Sequence, residues 1–164
     1  MELYLIRHGI AQERDFALKD DDRTLTKVGQ AKTKEVAKRL YNLGLRFDVI
    51  LTSPLVRSHQ TAEIFTVQLS SQLQVSTELA PNGNIHSWLN WLEQQNYPPT
   101  SKLALIGHQP DLGEWASMLV WGEAKEALIL KKAGIIGLNL PTMRSPIGQS
   151  QMFLLTPPKF LIVN

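Results

Sequence analysis

The stretch that most limits what this chain can fold into is its opening, Met1-Glu2-Leu3-Tyr4-Leu5-Ile6-Arg7-His8-Gly9. An apolar run with strand character, Glu2 to Ile6, stops abruptly at a cation, an imidazole and a glycine. A guanidinium beside a buried run is costly unless an anion satisfies it, so Arg7 predicts a site at the strand end. In open α/β sheets ligands bind just beyond the carboxyl ends of the strands, where Arg7, His8 and Gly9 would lie. Lys102-Leu103-Ala104-Leu105-Ile106-Gly107-His108 repeats the design, an apolar run that stops at a glycine and a histidine.

Between these runs the pattern alternates. Ile10 to Arg23 is polar and acidic without an apolar period and reads as a loop, of the kind that lines sites. Thr24-Leu25-Thr26 offers a helix cap, and Val28, Ala31, Ala37, Leu40 and Leu43 recur at helical spacing until Gly44 supplies a stop. Arg46 to Leu51 predicts a second buried strand. A helix follows it, with Ser53 as cap, Pro54 in the first position and a packed face of Val56, Ala62, Ile64, Phe65 and Leu69.

Gln72 to Thr77 is a weaker strand candidate. Pro81-Asn82-Gly83-Asn84 signals a turn before a short helix carrying Ile85, Trp88, Leu89 and Leu92. Gln109-Pro110-Asp111 starts another helix, with Leu112, Trp115, Ala116 and Leu119 on one face. Gly134 to Leu140 and Gln151 to Leu155 read as two late strands, spaced for an antiparallel pair. Strands alternating with helices predict an α/β fold, a three-layer αβα sandwich on a mainly parallel sheet. At 164 residues the expectation is a single domain spanning residues 1–164.

Composition removes several classes of function. There is no cysteine, hence no disulfide, thiolate metal site or cysteine nucleophile. The net charge of +2 carries no run of lysines or arginines that would mark a nucleic-acid or membrane surface. No basic region precedes an apolar segment at the amino terminus and no apolar stretch approaches a membrane span, so a cytoplasmic location is the default expectation.

Two strands ending in histidines, and a third followed within a turn by Arg57, converge at one edge of such a sheet. Two cations and two imidazoles suit a phosphoryl group, because guanidinium forks match its oxygens and stay charged. A neutral imidazole can attack phosphorus and carry the phosphoryl group covalently. No metal or other cofactor is needed on that route if arginines stabilise the transition-state charge.

These residues carry a resemblance. Arg7-His8-Gly9 after a strand resembles the signature of the histidine phosphatase superfamily, the phosphoglycerate mutase-like family. Leu51-Thr52-Ser53-Pro54-Leu55-Val56-Arg57-Ser58-His59-Gln60-Thr61-Ala62 is similar to its second block, and Gly107-His108-Gln109-Pro110 to its third, in the family's order. The short chain, Asp22-Arg23-Thr24-Leu25-Thr26 and Glu78-Leu79-Ala80-Pro81-Asn82-Gly83-Asn84 most resemble the bacterial phosphohistidine phosphatases of that superfamily.

The resemblance implies the phosphoglycerate mutase-like fold and roles for individual residues. His8 would be the nucleophile, and Arg7, Arg57 and His108 would hold the phosphoryl oxygens. Arg23 matches the arginine of the family's first loop and is a candidate phosphate or substrate contact. Gly9 would let backbone approach the imidazole, and a carbonyl there would fix the His8 tautomer. Ser58 stands where the family usually has alanine, a small-for-small change expected to be harmless. Asn84, a candidate substrate contact, stands where those short members tend to have aspartate, and an amide cannot deliver a proton. Glu78 is the nearest carboxylate and becomes the candidate general acid. His59 lies on another helix face from Arg57 and reads as solvent-exposed, and His86 reads as a surface residue after a turn.

The implied activity is a metal-independent phosphatase acting on phosphohistidine in a protein, with a phosphotransfer domain or phosphoryl carrier as partner. Three alternatives stand beside it. A small-metabolite phosphatase or mutase is disfavoured because larger members fill the interval between the second and third blocks with lid elements. A non-catalytic phosphate-binding scaffold has to explain four intact core positions. A metal hydrolase with His8 and His108 as ligands lacks a helical metal motif and a nearby carboxylate.

Overall fold

A computed structural model describes residues 1–142 and 144–162. Among these residues six strands form one sheet in the order β3-β2-β4-β1-β5-β6. β1 (Glu2–Arg7), β2 (Val49–Thr52), β3 (Gln72–Val75) and β4 (Lys102–Gly107) run parallel. β5 (Ile135–Asn139) and β6 (Gln151–Thr156) follow as the antiparallel pair that their spacing predicts. Among the described residues four helices cover the sheet, α1 (Lys27–Asn42), α2 (Val56–Leu69), α3 (Ile85–Gln94) and α4 (Asp111–Trp121). The result is the expected α/β sandwich.

The apolar runs of the inner strands have side chains on both faces, and the two faces build separate cores. Leu3, Leu5, Leu51, Leu103 and Leu105 pack with Trp88 of α3 and Leu112, Trp115 and Leu119 of α4. Tyr4, Ile6, Ile50, Ala104 and Ile106 pack with Val36 and Leu40 of α1 and with Ala62, Phe65 and Leu69 of α2. Trp88 is fully buried, so truncating it to alanine would cost about 3–5 kcal/mol. Among the described residues no helix is long and apolar enough to cross a membrane.

Several local expectations need correction. Thr26 does cap α1, accepting from the Gly29 N–H at 3.0 Å. The buried face of that helix is Gly29, Thr33, Val36, Ala37 and Leu40, whereas Val28, Ala31 and Leu43 face solvent. Threonine and glycine are taken inside because the chain after β1 presses on this face, and a Cβ on Gly29 would collide with the Ile10 carbonyl. α2 begins later than expected, with Leu55 at its N-cap and no side-chain cap. The Ser53 hydroxyl accepts from the Leu55 N–H at 3.3 Å and also reaches the site. The expected loop from Ile10 to Arg23 contains a 3-10 turn, Asp20–Asp22, and is pinned by a bridge between Ala11 and Leu25.

Candidate active site

Parallel register brings the strand ends together. Arg7 at the end of β1 lies beside Gly107 at the end of β4, and Thr52 at the end of β2 lies beside Ile106. The residues that follow, His8, His108 and Ser53, therefore leave neighbouring strands at one edge, and the His8 N–H donates to the Gly107 carbonyl at 3.0 Å. The two imidazole rings are 5.3 Å apart between centroids. Arg57, in the first turn of α2, completes the group and is 3% exposed.

Arg7, His8, Arg57 and His108 line a cleft of about 380 Å³ together with Arg14, Asp20, Arg23, Asn82, Asp111 and Lys132. A larger cleft of about 520 Å³ opens between Met1, Leu89, Tyr97 and Pro146 but contains neither strand-end histidine. Convergent cations and imidazoles, rather than volume, identify the smaller one as the site.

His8 is buried and its pKa is pushed down to about 3, first by desolvation and further by the charges of Arg57 and Arg7. It is therefore neutral at physiological pH. Its Nδ1 lies 2.7 Å from the Gly9 carbonyl oxygen, which can only accept, so Nδ1 carries the ring proton and Nε2 keeps its lone pair. Gly9 is held by its N–H, which donates to Thr61 Oγ1 at 3.0 Å. A Cβ at Gly9 would sit 2.5 Å from Thr33 Oγ1, so the close approach of α1 demands glycine there.

His108 is also neutral, its pKa pushed down to about 4 by burial and then by Arg57. Its Nε2 stands 2.8 Å from Ser53 Oγ and 3.3 Å from Ser58 Oγ, and its Nδ1 stands 3.5 Å from an Arg57 terminal nitrogen. Hydroxyls donate or accept as required, whereas the Arg57 nitrogen can only donate, so the ring accepts at Nδ1 and carries its proton on Nε2, toward the two serine hydroxyls. Ser58, expected to be a silent replacement for alanine, is thus a partner of His108, and so is Ser53, which the sequence pattern assigns to a helix cap.

The arginines are held from behind. One terminal nitrogen of Arg7 donates to the Leu130 carbonyl at 3.0 Å, in a segment before β5 that also bonds the Arg7 carbonyl through the Ala133 N–H. No sequence pattern points to this segment, which brings Lys132 to the cleft. The Nε atoms of Arg7 and Arg57 are buried and have no acceptor. Buried donors are almost always paired, so two unpaired guanidinium donors in one cleft mark the seat of an anion.

Arg23 lies at the rim, donating to the Gln12 carbonyl at 2.8 Å and paired with Asp20 at 2.8 Å. Asp20 also pairs with Arg14 and Arg57. Against the rise that burial alone would bring, Arg57 and Arg23 hold its carboxyl below the usual range.

Glu78 and Asn84 are not brought to the cleft. The Asn84 side chain caps α3, accepting from the N–H groups of His86 at 2.8 Å and Ser87 at 3.2 Å. A Glu78 carboxylate oxygen accepts from the Asn84 N–H at 3.1 Å, so both polar groups serve the helix start. His59 is half-exposed, 3.6 Å from Glu63, and His86 is exposed. Among the described residues no group of three or more His, Asp and Glu side chains could hold a metal ion.

The family model described as the histidine phosphatase superfamily (branch 1) matches residues 3–99. A protein of Picosynechococcus sp. described as uncharacterized is 50% identical over 164 residues, with 99% of each chain covered. The SixA phosphohistidine phosphatase homolog of Haemophilus influenzae is 28% identical over 123 residues, 70% of this chain and 74% of that one. In structure, the protein histidine phosphatase SixA complexed with tungstate superposes with a TM-score of 0.83 at 24% identity, over 98% and 99% of the chains. The α-ribazole phosphatase of Shigella flexneri superposes with a TM-score of 0.71 at 17% identity, over 96% and 97%.

Proposed function

This chain belongs to the histidine phosphatase superfamily, and within that membership we propose that it is a metal-independent phosphatase removing phosphoryl groups from phosphohistidine in a protein. The observation that carries the substrate class is the state of the cleft's carboxylates. Asp20 is bound by three arginines, which hold it as a carboxylate, and Asp111, the cleft's other carboxylate, accepts at Oδ1 from the Asn82 N–H at 3.1 Å.

In the first step His8 Nε2 attacks phosphorus. A nitrogen–phosphorus bond forms on His8 as the one to the substrate imidazole breaks. Arg7, Arg57 and His108 face the charge on the phosphoryl oxygens. The departing imidazole takes a proton from solvent, which its ordinary pKa of about 6.5 permits near neutral pH. Water then attacks the phosphorus on His8, releasing inorganic phosphate and restoring the neutral ring. An alcohol leaving group would need a stronger proton donor, a part that Asp20, held as a carboxylate by its arginines, does not fill.

The short interval between the second and third motif blocks supports a protein substrate, since it holds only β3, a 3-10 turn and α3. The SixA likeness agrees with this reading. Its test is kcat/KM for a panel of phosphohistidine proteins, phosphotransfer domains and phosphoryl carriers included, against alkyl phosphate esters. Preference for the first class by at least about a hundredfold is expected. Comparable rates would return the reading to a small-metabolite phosphatase, and no turnover of either class to a scaffold.

A further inference from the structure

We infer that Asp20 is a positioning residue for the phosphoryl site, bracing the Arg57 guanidinium with its main-chain and side-chain oxygens and tying it to Arg23. Arg57 donates from one terminal nitrogen to the Asp20 main-chain carbonyl at 2.6 Å and from the other to Oδ2 at 3.0 Å. The second carboxylate oxygen, Oδ1, accepts from Arg23 Nε at 2.9 Å and lies 3.1 Å from Arg14 Nε. One residue at the tip of the 3-10 turn thus meets three guanidinium groups.

Two physical consequences follow. Like charges converging on one cleft repel, and a carboxylate between them lets the cluster exist before any phosphate arrives. A guanidinium also has five N–H donors, of which Asp20 uses two, so the brace leaves donors for phosphoryl oxygens. The Nε of Arg57, buried and without an acceptor, is one of those left. The opposite role, an internal anion that competes with the substrate, predicts the opposite sign. Removing Asp20 would then tighten phosphate binding.

The inference rests on the phosphoryl-binding role of the cleft and not on the choice of phosphohistidine, so binding is measured apart from turnover. Calorimetric titration with inorganic phosphate should show Asp20→Ala binding at least about tenfold more weakly than wild type, the scale for losing a partner that orients a ligand. Asp20→Asn, whose amide oxygen still accepts, should recover part of the loss. Asp22→Ala should bind like wild type.

The second measurement is kcat/KM on phosphoimidazole in Asp20→Ala, Arg57→Ala and the double variant. Asp20→Ala should lower it about tenfold in the wild-type background and by less than about twofold when Arg57 is already gone. Tighter phosphate binding in Asp20→Ala would overturn the inference. So would a tenfold loss that persists without Arg57, which would mark a merely structural effect on the loop, or a wild type that binds no phosphate. Should wild type bind phosphate yet turn over no phosphoramidate, the functional reading falls while the binding data still judge the brace.

Discussion

The Nδ1 proton of His8 rests on the carbonyl oxygen of Gly9, the next residue in the chain, at 2.7 Å. The bond fixes which nitrogen is left to react. A neutral Nε2 flanked by Arg7 and Arg57 should become phosphorylated during turnover. Rapid quench with labelled substrate is expected to trap an acid-labile, base-stable phosphoramidate that His8→Ala abolishes. A trapped intermediate in that variant would reassign the nucleophile.

Arg57→Ala should reduce turnover by at least about a hundredfold, the scale for losing one preorganised charge stabiliser. Arg57→Lys should recover little, because an ammonium is a point charge that cannot serve Asp20 and a phosphoryl group together. Wild-type activity in the lysine variant would refute the role of the fork.

His108 stands 2.8 Å from Ser53 Oγ, a contact that sets its ring orientation. A neutral hydrogen bond of this kind is worth about 1 kcal/mol, so Ser53→Ala is expected to lower kcat/KM roughly fivefold. Ser58→Ala should do less, since its oxygen is farther away at 3.3 Å. Steady-state kinetics of the two variants decide the order, and a larger effect from Ser58 would invert the assignment.

The histidines also make stability depend on pH. With pKa values held near 3 for His8 and near 4 for His108, the folded state binds fewer protons than the unfolded chain, whose imidazoles titrate near 6.5. The unfolded state is therefore favoured as pH falls from about 6.5 toward 4, and stability is lost in that window. Denaturant midpoints at pH 7 and pH 4.5 should differ for wild type, and the difference should shrink in His8→Gln. An unchanged difference would show that the ring is not buried neutral.

Glu78 and Asn84 should behave as parts of a helix start. Asn84→Ala is expected to cost about 1 kcal/mol of stability, and Glu78→Gln to leave phosphohistidine hydrolysis within about twofold of wild type. Chemical denaturation and kinetics test the two statements separately. A collapse of activity in Glu78→Gln would show that it acts as the acid after all.

Most of the strands, and the polar residues that end them, are legible in the sequence. Local signals sufficed for that, because a strand buried on both faces needs an unbroken apolar run and the abrupt polar stops after Ile6 and Ile106 can only be strand ends. The presence of β1, β2, β4 and α4, and the convergence of Arg7, His8, Arg57 and His108, are legible for this reason. What lay beyond it was decided by contacts between distant residues. The phase of α1 could not be read because its inner face is Gly29 and Thr33, chosen for the backbone pressed against them and not for hydrophobicity.

Ser53 looks like a helix cap until β4 sets His108 beside it, 55 residues further on. Nothing local separates Asp20 from Asp21 and Asp22 until α2 presents Arg57 to it. Asn84 and Glu78 sit in a promising motif, yet their hydrogen bonds are spent on the first turn of α3. A hydrogen bond or an ion pair acts only over a few ångströms, and sequence separation does not report that distance. Tertiary structure alone therefore decided which polar groups face the phosphoryl seat and which serve the scaffold.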